Sequence, residues 1–168
     1  MSRINHSCAP CVVWSWVEGQ PLAKEVRAVR DIRAGQEITA NYIDSYEATF
    51  APCLERQARL EHWKFVCSCE VCGACEEERR RSDEVRRSIA LQHQLIPRYM
   101  AGWKVEQALG AARTKVQLMR SVREQMETTL PSALLELWEM SRIGEAKGLG
   151  AQEDSSKILL EAEGLAKR

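Results

Sequence analysis

The segment Cys67-Ser68-Cys69-Glu70-Val71-Cys72, followed by Gly73, carries the strongest fold signal in the sequence. Its C-x-C-x2-C spacing lets three thiolates converge from one tight loop onto one ion. Structural zinc is nearly always tetrahedral, with sulfur at about 2.3 Å, so a fourth ligand is needed. Cys75 is the local candidate, and Cys8 is a distant candidate that would tie the loop to the N-terminal segment. The spacing by itself leaves both open.

The distribution of the cysteines favours metal over disulfides. The seven are Cys8, Cys11, Cys53, Cys67, Cys69, Cys72 and Cys75. Their number is odd, and the rest of the chain has none. In a reducing compartment, clustered thiols at short spacing are better explained by metal, because glutathione and thioredoxin keep thiols reduced there. The alternative is a set of buried unligated cysteines, but free thiols rarely crowd so closely in a polar loop.

Size and charge restrict the class of protein. With 168 residues, the chain can form one modest core, or a small lobe packed against a helical appendage. Lys plus Arg and Asp plus Glu both number 24, so the net charge does not favour direct nucleic-acid binding. No apolar run of about eighteen residues and no signal-peptide pattern occur. We expect a soluble intracellular protein, nuclear or cytoplasmic, with no membrane contact.

The residues before the cysteine loop predict short strands and one helix. Residues 11–17 and 22–29 are rich in β-branched and aromatic side chains, which is typical of strands. Ala34-Gly35 predicts a turn. Pro52 is permitted in a first helical turn and predicts a helix that ends before Phe65.

The charged run of residues 76–81 marks a change to helical patterning. Ser82 is a candidate N-cap for a helix that continues to about Tyr99, and Gly102 interrupts it. The clearest predicted helix spans residues 105–126. Its apolar positions recur in steps of three and four at Val105, Leu109, Ala112, Val116, Met119, Val122 and Met126.

Two further helices complete the predicted tail. One starts at Pro131 and is broken by Gly148-Leu149-Gly150, and the last is capped by Asp154 or Ser155. The tail is therefore expected to be a helical array. These helices could simply pack antiparallel with no binding role. They also show a weak similarity to tetratricopeptide-like helix pairs.

Several motifs, in the expected order, resemble the SET domains of protein methyltransferases, particularly the branch that includes SET and MYND proteins and their fungal relatives. Residues 3–10 (Arg-Ile-Asn-His-Ser-Cys-Ala-Pro) resemble the R-x-N-H-S-C-x-P motif. Residues 27–39 resemble the stretch before the family's catalytic tyrosine, and residues 41–44 (Asn-Tyr-Ile-Asp) resemble the tyrosine motif. The third motif, made up of Arg56, Leu60 and residues 65–72, resembles the family's post-SET region.

The resemblance implies an α+β fold in three parts. Residues 1–48 would be the C-terminal part of a SET domain, with short β-strands. Residues 49–76 would form the post-SET helix and zinc loop, and residues 77–168 an all-α C-terminal region.

The resemblance also implies a role for each motif residue. Asn5 and His6 would bind S-adenosylmethionine, Phe65 would pack on its adenine, and Tyr42 would be catalytic, because a phenolic hydroxyl can orient an amine for attack. The implied zinc ligands are Cys8, Cys67, Cys69 and Cys72, with Cys75 outside. Taken alone, Tyr42 and Phe65 would be core aromatics and His6 a local hydrogen-bonding residue.

The sequence departs from the family pattern at two places. The glycine-rich first half of a SET domain belongs before the motif at residues 3–10, so we expect a fragment, or a short protein that has lost catalysis. Cys11 stands where the family commonly has Asn, and it could be a spare thiol or an alternative ligand.

Two functions follow from the sequence. The first is a partial S-adenosylmethionine-dependent protein-lysine N-methyltransferase whose substrate is a lysine-bearing protein, with histones as one candidate. The alternative is a noncatalytic zinc-stabilised module whose helical tail binds another protein.

Overall fold

A small β part precedes an array of helices. The computed structural model describes residues 3–20, 22–43, 45–149 and 155–166, with only the backbone of residue 166. The strands are β1 (Asn5–His6), β2 (Val12–Trp16), β3 (Lys24–Ala28) and β4 (Thr39–Ala40). The helices are α1 (Cys53–Leu60), α2 (Glu76–Ala101), α3 (Val105–Ser121), α4 (Arg123–Met126), α5 (Leu130–Ala146) and α6 (Ser155–Ala166). Short 3-10 helices span Glu47–Phe50 and Glu61–Trp63. The predicted α+β class is confirmed.

The strands form two small pairs. β2 and β3 are antiparallel, with Val12 opposite Ala28, and occupy slightly shorter segments than predicted. Gly19 has a φ of +73° in the connecting turn, which glycine adopts at little cost. β1 and β4 are parallel, with Asn5 opposite Thr39. This second pair places residues 5–6 beside the segment that leads into Tyr42.

The predicted helix near Pro52 is confirmed. Pro52 is the N-cap of α1 in an extended conformation, and the helix ends at Leu60. Lys64 follows the next 3-10 helix with a φ of +59°, a left-handed conformation that directs the chain into the cysteine loop. The predicted turn at Ala34-Gly35 is also present.

The prediction that Ser82 caps a helix is wrong. α2 begins at Glu76, with Cys75 as its N-cap, so Ser82 lies inside the helix. Three glutamates in the first turn favour the earlier start, because negative charge is stabilised at a helix N-terminus. Arg80 also forms ion pairs with Glu77 and Glu84 at helical spacing.

The predicted continuous helix over residues 105–126 is interrupted. α3 ends at Ser121, and Val122 has φ −126° and ψ 39°, outside the helical region, before the short α4. The hydroxyl of Ser121 donates to the carbonyl of Leu118 at 2.7 Å, a local bond that competes with regular helix continuation. The apolar positions on both sides, including Met119 and Met126, are still buried.

The helices share one apolar core. It contains side chains from α2, α3, α4, α5 and α6, together with Phe50. The predicted apolar positions of the last helix, Ile158, Ala162 and Leu165, are all buried there. Pro21, Asp44, Gly150 and Asp154, which belong to predicted turns, motifs or caps, lie outside the described residues.

Within the described part of the chain, every helix is too short or too polar to cross a membrane.

Candidate metal centre and aromatic cleft

Four cysteine side chains meet between β1 and the loop before α2. They are Cys8, Cys67, Cys69 and Cys72, which we call the four-cysteine group. All four Sγ atoms lie within 4.8 Å of one another, and those of Cys8 and Cys72 are 3.6 Å apart. Sulfur atoms about 2.3 Å from a tetrahedral zinc ion are about 3.8 Å from each other. The side chains therefore fit a zinc ion with little rearrangement.

The two other cysteines considered as ligands lie outside this group. Cys75 is exposed at the N-cap of α2. Cys11 is buried, but its sulfur accepts the backbone N–H of Thr39 at 3.2 Å and lies 3.7 Å from the carbonyl oxygen of Glu37. Cys11 thus stabilises the chain around β4.

The cysteine loop is held by α1 and by one glycine. The Gln57 amide nitrogen donates to the carbonyl of Cys67 at 2.7 Å, and its oxygen accepts the Cys67 backbone N–H at 2.9 Å. At Gly73, a Cβ atom would lie 2.9 Å from the carbonyl oxygen of Ser68, closer than real Cβ atoms approach. The loop therefore turns back on itself only with glycine at this position.

Arg56 is an almost fully buried side chain that contacts the four-cysteine group. Its Nε donates to Cys8 Sγ at 3.3 Å and its Nη2 to Cys72 Sγ at 3.6 Å. Nη1 donates to the carbonyl of Ala51 and lies 3.7 Å from Asp83 Oδ1. Burial lowers the pKa of Arg56, but the electrostatic and hydrogen-bonding effects of Cys8 and Cys72 more than offset this and raise it overall.

Arg86, on α2, is fully buried beside the same group. Its Nη2 donates to the Cys8 carbonyl at 3.4 Å and to Gln125 Oε1 at 3.2 Å, while Nη1 donates to the Thr49 carbonyl. Burial, with a further contribution from Arg56, lowers the pKa of Arg86 to about 10, which leaves it charged at neutral pH.

Sequence reasoning identified neither arginine as a site residue. Arg56 was noted only as part of the post-SET motif. Arg86 shares the buried face of α2 with Ser82, Ile89 and Ile96. A charged residue within an apolar stripe is the signal that could have revealed it, because charges are almost never fully buried unless paired.

The thiols of the four-cysteine group titrate together. Hydrogen bonding to Cys67 lowers the pKa of Cys69. Hydrogen bonding to Cys67 also lowers the pKa of Cys72, to about 6. The pKa values of Cys8 and Cys67 are raised by hydrogen bonds with the other thiols, from Cys67 and Cys69 respectively. Two of the four therefore readily become thiolates, the form that binds metal.

His6 connects the group to the tyrosine motif. Its Nδ1 accepts the backbone N–H of Tyr42 at 3.0 Å, so the ring proton is on Nε2, which lies 3.4 Å from Cys8 Sγ. Burial lowers the pKa of His6 to about 4; Arg56 lowers it further and Cys69 opposes. The imidazole is therefore neutral at pH 7 and donates to the sulfur.

A cleft of about 1150 Å³ opens beside the four-cysteine group. Four aromatic residues line it, and we call it the aromatic cleft: Trp14, Tyr42, Trp63 and Phe65. The ring centroids of Tyr42 and Trp63 are 4.8 Å apart, and Phe65 meets Tyr42 edge-on at 6.2 Å. Sequence reasoning missed Trp14 and Trp63, which reach the cleft from separate segments.

The predicted cofactor and catalytic residues all line the aromatic cleft. They are Asn5, His6, Tyr42 and Phe65. The hydroxyl of Tyr42 donates to the carbonyl of Ile4, which fixes its orientation. The side-chain amide of Asn5 donates to Glu37, which also lines the cleft.

Residues 1–43 match the family model of the SET domain. This part of the chain is similar to a segment of the SET domain. It contains β1 to β4, Asn5, His6 and Tyr42, and so it forms one side of the aromatic cleft.

Curated relatives extend the similarity beyond the SET-domain segment. The chain is 42% identical over 89 residues to the histone-lysine N-methyltransferase set5 of Schizosaccharomyces pombe, covering 51% of this chain and 26% of that protein. It is 29% identical over 148 residues to the N-lysine methyltransferase SMYD2-B of Danio rerio, covering 84% and 28%. The human N-lysine methyltransferase SMYD2 is 27% identical over 161 residues, covering 95% and 32%.

These matches confirm the resemblance to SET-domain lysine methyltransferases, including the fungal and the SET and MYND-like branches. The two SMYD2 matches are long enough to include helices of the tail, whereas the set5 match covers about half of the chain. The chain spans between 26% and 32% of the lengths of these three relatives.

Proposed function

We propose that this chain supplies the tyrosine side of an S-adenosylmethionine-dependent protein-lysine N-methyltransferase site, braced by a zinc ion. One observation carries the proposal: Asn5, His6, Tyr42 and Phe65 line a single cleft beside the four-cysteine group. The first half of a SET domain, which the resemblance implies, would complete the site and remains a prediction.

The aromatic cleft suits a cationic, adenine-bearing ligand. When bound, S-adenosylmethionine would supply a methyl group from a positively charged sulfonium. Aromatic faces attract cations, and a flat ring such as Phe65 provides the area for stacking on adenine. Asn5 and His6 would line the same binding surface, through the segment that pairs with β4.

Tyr42 is proposed as the catalytic residue. Its hydroxyl hydrogen is donated to the Ile4 carbonyl, so the oxygen lone pairs are free to accept a hydrogen bond from an amine. A hydroxyl fixed in this way can orient the nitrogen lone pair of a lysine toward the methyl group. The contribution is mainly one of positioning, and good alignment can lower a barrier substantially.

The four-cysteine group is proposed to hold a structural zinc ion. Four protein ligands leave no open position for water or substrate, which is typical of structural rather than catalytic zinc. Binding of the ion would connect β1 to the cysteine loop and so fix Phe65, which lies two residues before Cys67.

The substrate and setting are proposed from the relatives. The relative set5 is a histone-lysine N-methyltransferase, and SMYD2 is an N-lysine methyltransferase. A lysine-bearing protein substrate, with histones as one candidate, and a location in the nucleus or cytoplasm therefore form part of the proposal. We also propose the three-part division at residues 48 and 76, with the helical region 77–168 as a surface for a protein partner.

Calorimetry with S-adenosylmethionine and the zinc-loaded chain tests the proposal. We expect measurable binding that is lost in Phe65→Ala, because the stacking surface is removed. Trp16→Ala is the matched control, since Trp16 is an exposed aromatic residue outside the aromatic cleft. Binding that survives Phe65→Ala contradicts the role of Phe65. No binding at all favours the noncatalytic zinc-stabilised module.

A further inference from the structure

Two buried arginines reach Cys8 from different helices, Arg56 from α1 and Arg86 from α2. Their side chains are at most 1% exposed. A buried guanidinium is costly unless it is paired with negative charge. Among the described residues, Asp83 is the only carboxylate that forms an ion pair with either arginine, and it lies 3.7 Å from Arg56. The cost of burying both arginines therefore calls for another negative partner.

We infer that Arg56 and Arg86 are positioning residues of the metal centre, whose charges balance those of a four-thiolate zinc site and link metal binding to docking of α2. This inference rests on the proposed zinc site. Four thiolates around a divalent ion carry a net charge of two negative. The two guanidinium groups supply two positive charges beside this group: Arg56 donates to two of its sulfurs and Arg86 donates to the Cys8 carbonyl. Asp83 offsets part of the charge of Arg56.

Arg56 acts directly on the sulfurs. It donates to Cys8 Sγ and to Cys72 Sγ, which are the two sulfurs 3.6 Å apart. Hydrogen bonds to ionised groups are about twice as strong as those between neutral groups. A guanidinium with two donors to two ligands therefore fixes their separation as well as their charge.

Arg86 acts on the backbone and connects the two parts of the chain. It holds the carbonyls of Cys8 and Thr49 from α2, while Gln125, in α4, accepts hydrogen bonds from both Arg86 and Ser82. These contacts join the first helices of the tail to the ligand Cys8. A zinc ion that holds Cys8 would therefore also hold the Cys8 carbonyl, which accepts a hydrogen bond from Arg86 on α2.

The charge balance predicts unequal effects in the two metal states. Replacing either arginine by methionine removes hydrogen bonds to buried carbonyls, and Arg56 also loses its pair with Asp83, which costs stability in both states. With zinc bound, the replacement also removes a compensating charge and weakens the site. The loss of stability should therefore be larger with zinc than without it.

Zinc affinity provides the test, measured on the full chain by competition with a chromophoric chelator. For Arg56→Met and Arg86→Met we expect about 10- to 100-fold weaker binding, the usual effect of losing an outer-shell partner. Arg59→Met and Arg87→Met are matched controls, because these exposed arginines lie on the same two helices, and their affinities should not change. Wild-type affinity in both buried variants overturns the inference.

Thermal unfolding with zinc and with excess chelator separates charge balance from ordinary packing. Each methionine variant should unfold at a lower temperature than wild type in both states, and the decrease should be larger with zinc than without it. Equal losses in both states would mean a purely structural role and overturn the inference. A wild-type chain that binds no zinc refutes the proposed zinc site itself, which is a distinguishable result.

Lysine variants cover the case in which a methionine variant fails to fold. Arg56→Lys and Arg86→Lys keep the charge but lose the planar set of donors. They should recover part of the zinc affinity relative to the methionine variants, or bind zinc where those do not fold. If the lysine variants neither bind zinc more tightly than the methionine variants nor fold where those fail, charge balance is overturned.

Discussion

The N-terminal part (the described residues up to Cys75) and the helical part (the described residues from Glu76) are stabilised in different ways. The helical part buries leucine, methionine and isoleucine side chains from five helices in one cluster. Around the four-cysteine group of the N-terminal part, the buried apolar cluster consists of three cysteines, Ala9, Leu60 and Val71. The strands of this part have two or five residues. The comparison teaches that the helical part has a larger apolar core, so a bound metal ion would matter more for the N-terminal part.

Cys8→Ser should show the largest difference between the two parts. Loss of one ligand should release zinc or greatly weaken its binding, because structural zinc sites supply folding energy outright. We expect less than one zinc per chain by mass spectrometry, and faster proteolysis confined to residues before 76. Helical content by circular dichroism should largely persist, since the tail core contains no ligand.

Cys75→Ser is the matched control for this variant. Cys75 is exposed and outside the four-cysteine group, so zinc content and proteolysis should match the wild type. If the zinc content is unchanged in Cys8→Ser but lost in Cys75→Ser, the ligand assignment is reversed and Cys75 takes the place of Cys8. Complete loss of helicity in Cys8→Ser would show that the two parts do not differ as described.

Leu134→Ala should lower the free energy of unfolding of the helical part by about 2–5 kcal/mol. Leu134 is fully buried in α5, and the cavity left by truncation would not be filled. Chemical denaturation followed by circular dichroism measures the change. Leu135→Ala is the neighbouring control, because that side chain is 44% exposed and should cost much less. A similar cost in both variants would mean that this core is not closely packed.

The smallest expected effect is a pH dependence within the helical part. Burial, with Lys115 Nζ 3.2 Å away, lowers the pKa of His93 below its ordinary value of 6.5, although Glu47 and Glu136 oppose this. Because the unfolded chain then takes up the proton first, His93 contributes stability above pH 6.5 that is lost as the pH falls below it. Melting curves between pH 7 and pH 5 should show a decline smaller than that caused by Leu134→Ala.

His93→Gln should flatten this decline, whereas His62→Gln, at an exposed site in the N-terminal part, should leave it unchanged. An unchanged slope in His93→Gln would assign the pH dependence to other groups. Tyr46 and Phe50 also contact the His93 ring, so the glutamine variant is expected to lose some stability at every pH.

The sequence-based prediction was wrong at helix boundaries, where more than one residue could begin or end the helix. Ser82 has the chemistry of an N-cap, but the glutamates at residues 76–78 and their arginine partners favour an earlier start. Val122 fits the apolar stripe of its helix, but its backbone leaves the helical region. In both cases the side-chain pattern was correct and the boundary was not, because several residues can satisfy the same end of a helix.

Local order in the sequence was sufficient for the fold class, the strands β2 and β3, the approximate positions of the longer helices, the loop of three cysteines and the motifs that indicate a SET-domain segment. These signals depend on spacing between residues that are near in the chain. Spacing left the choice between Cys8 and Cys75 open, the family resemblance implied Cys8, and the tertiary structure brings Cys8 and not Cys75 to the loop. The tertiary structure alone decided that Arg86 reaches the Cys8 carbonyl from 78 residues away. It also decided that Trp14 and Trp63 line the cleft with Tyr42. Such contacts depend on how distant segments pack, and no periodicity along the chain records that.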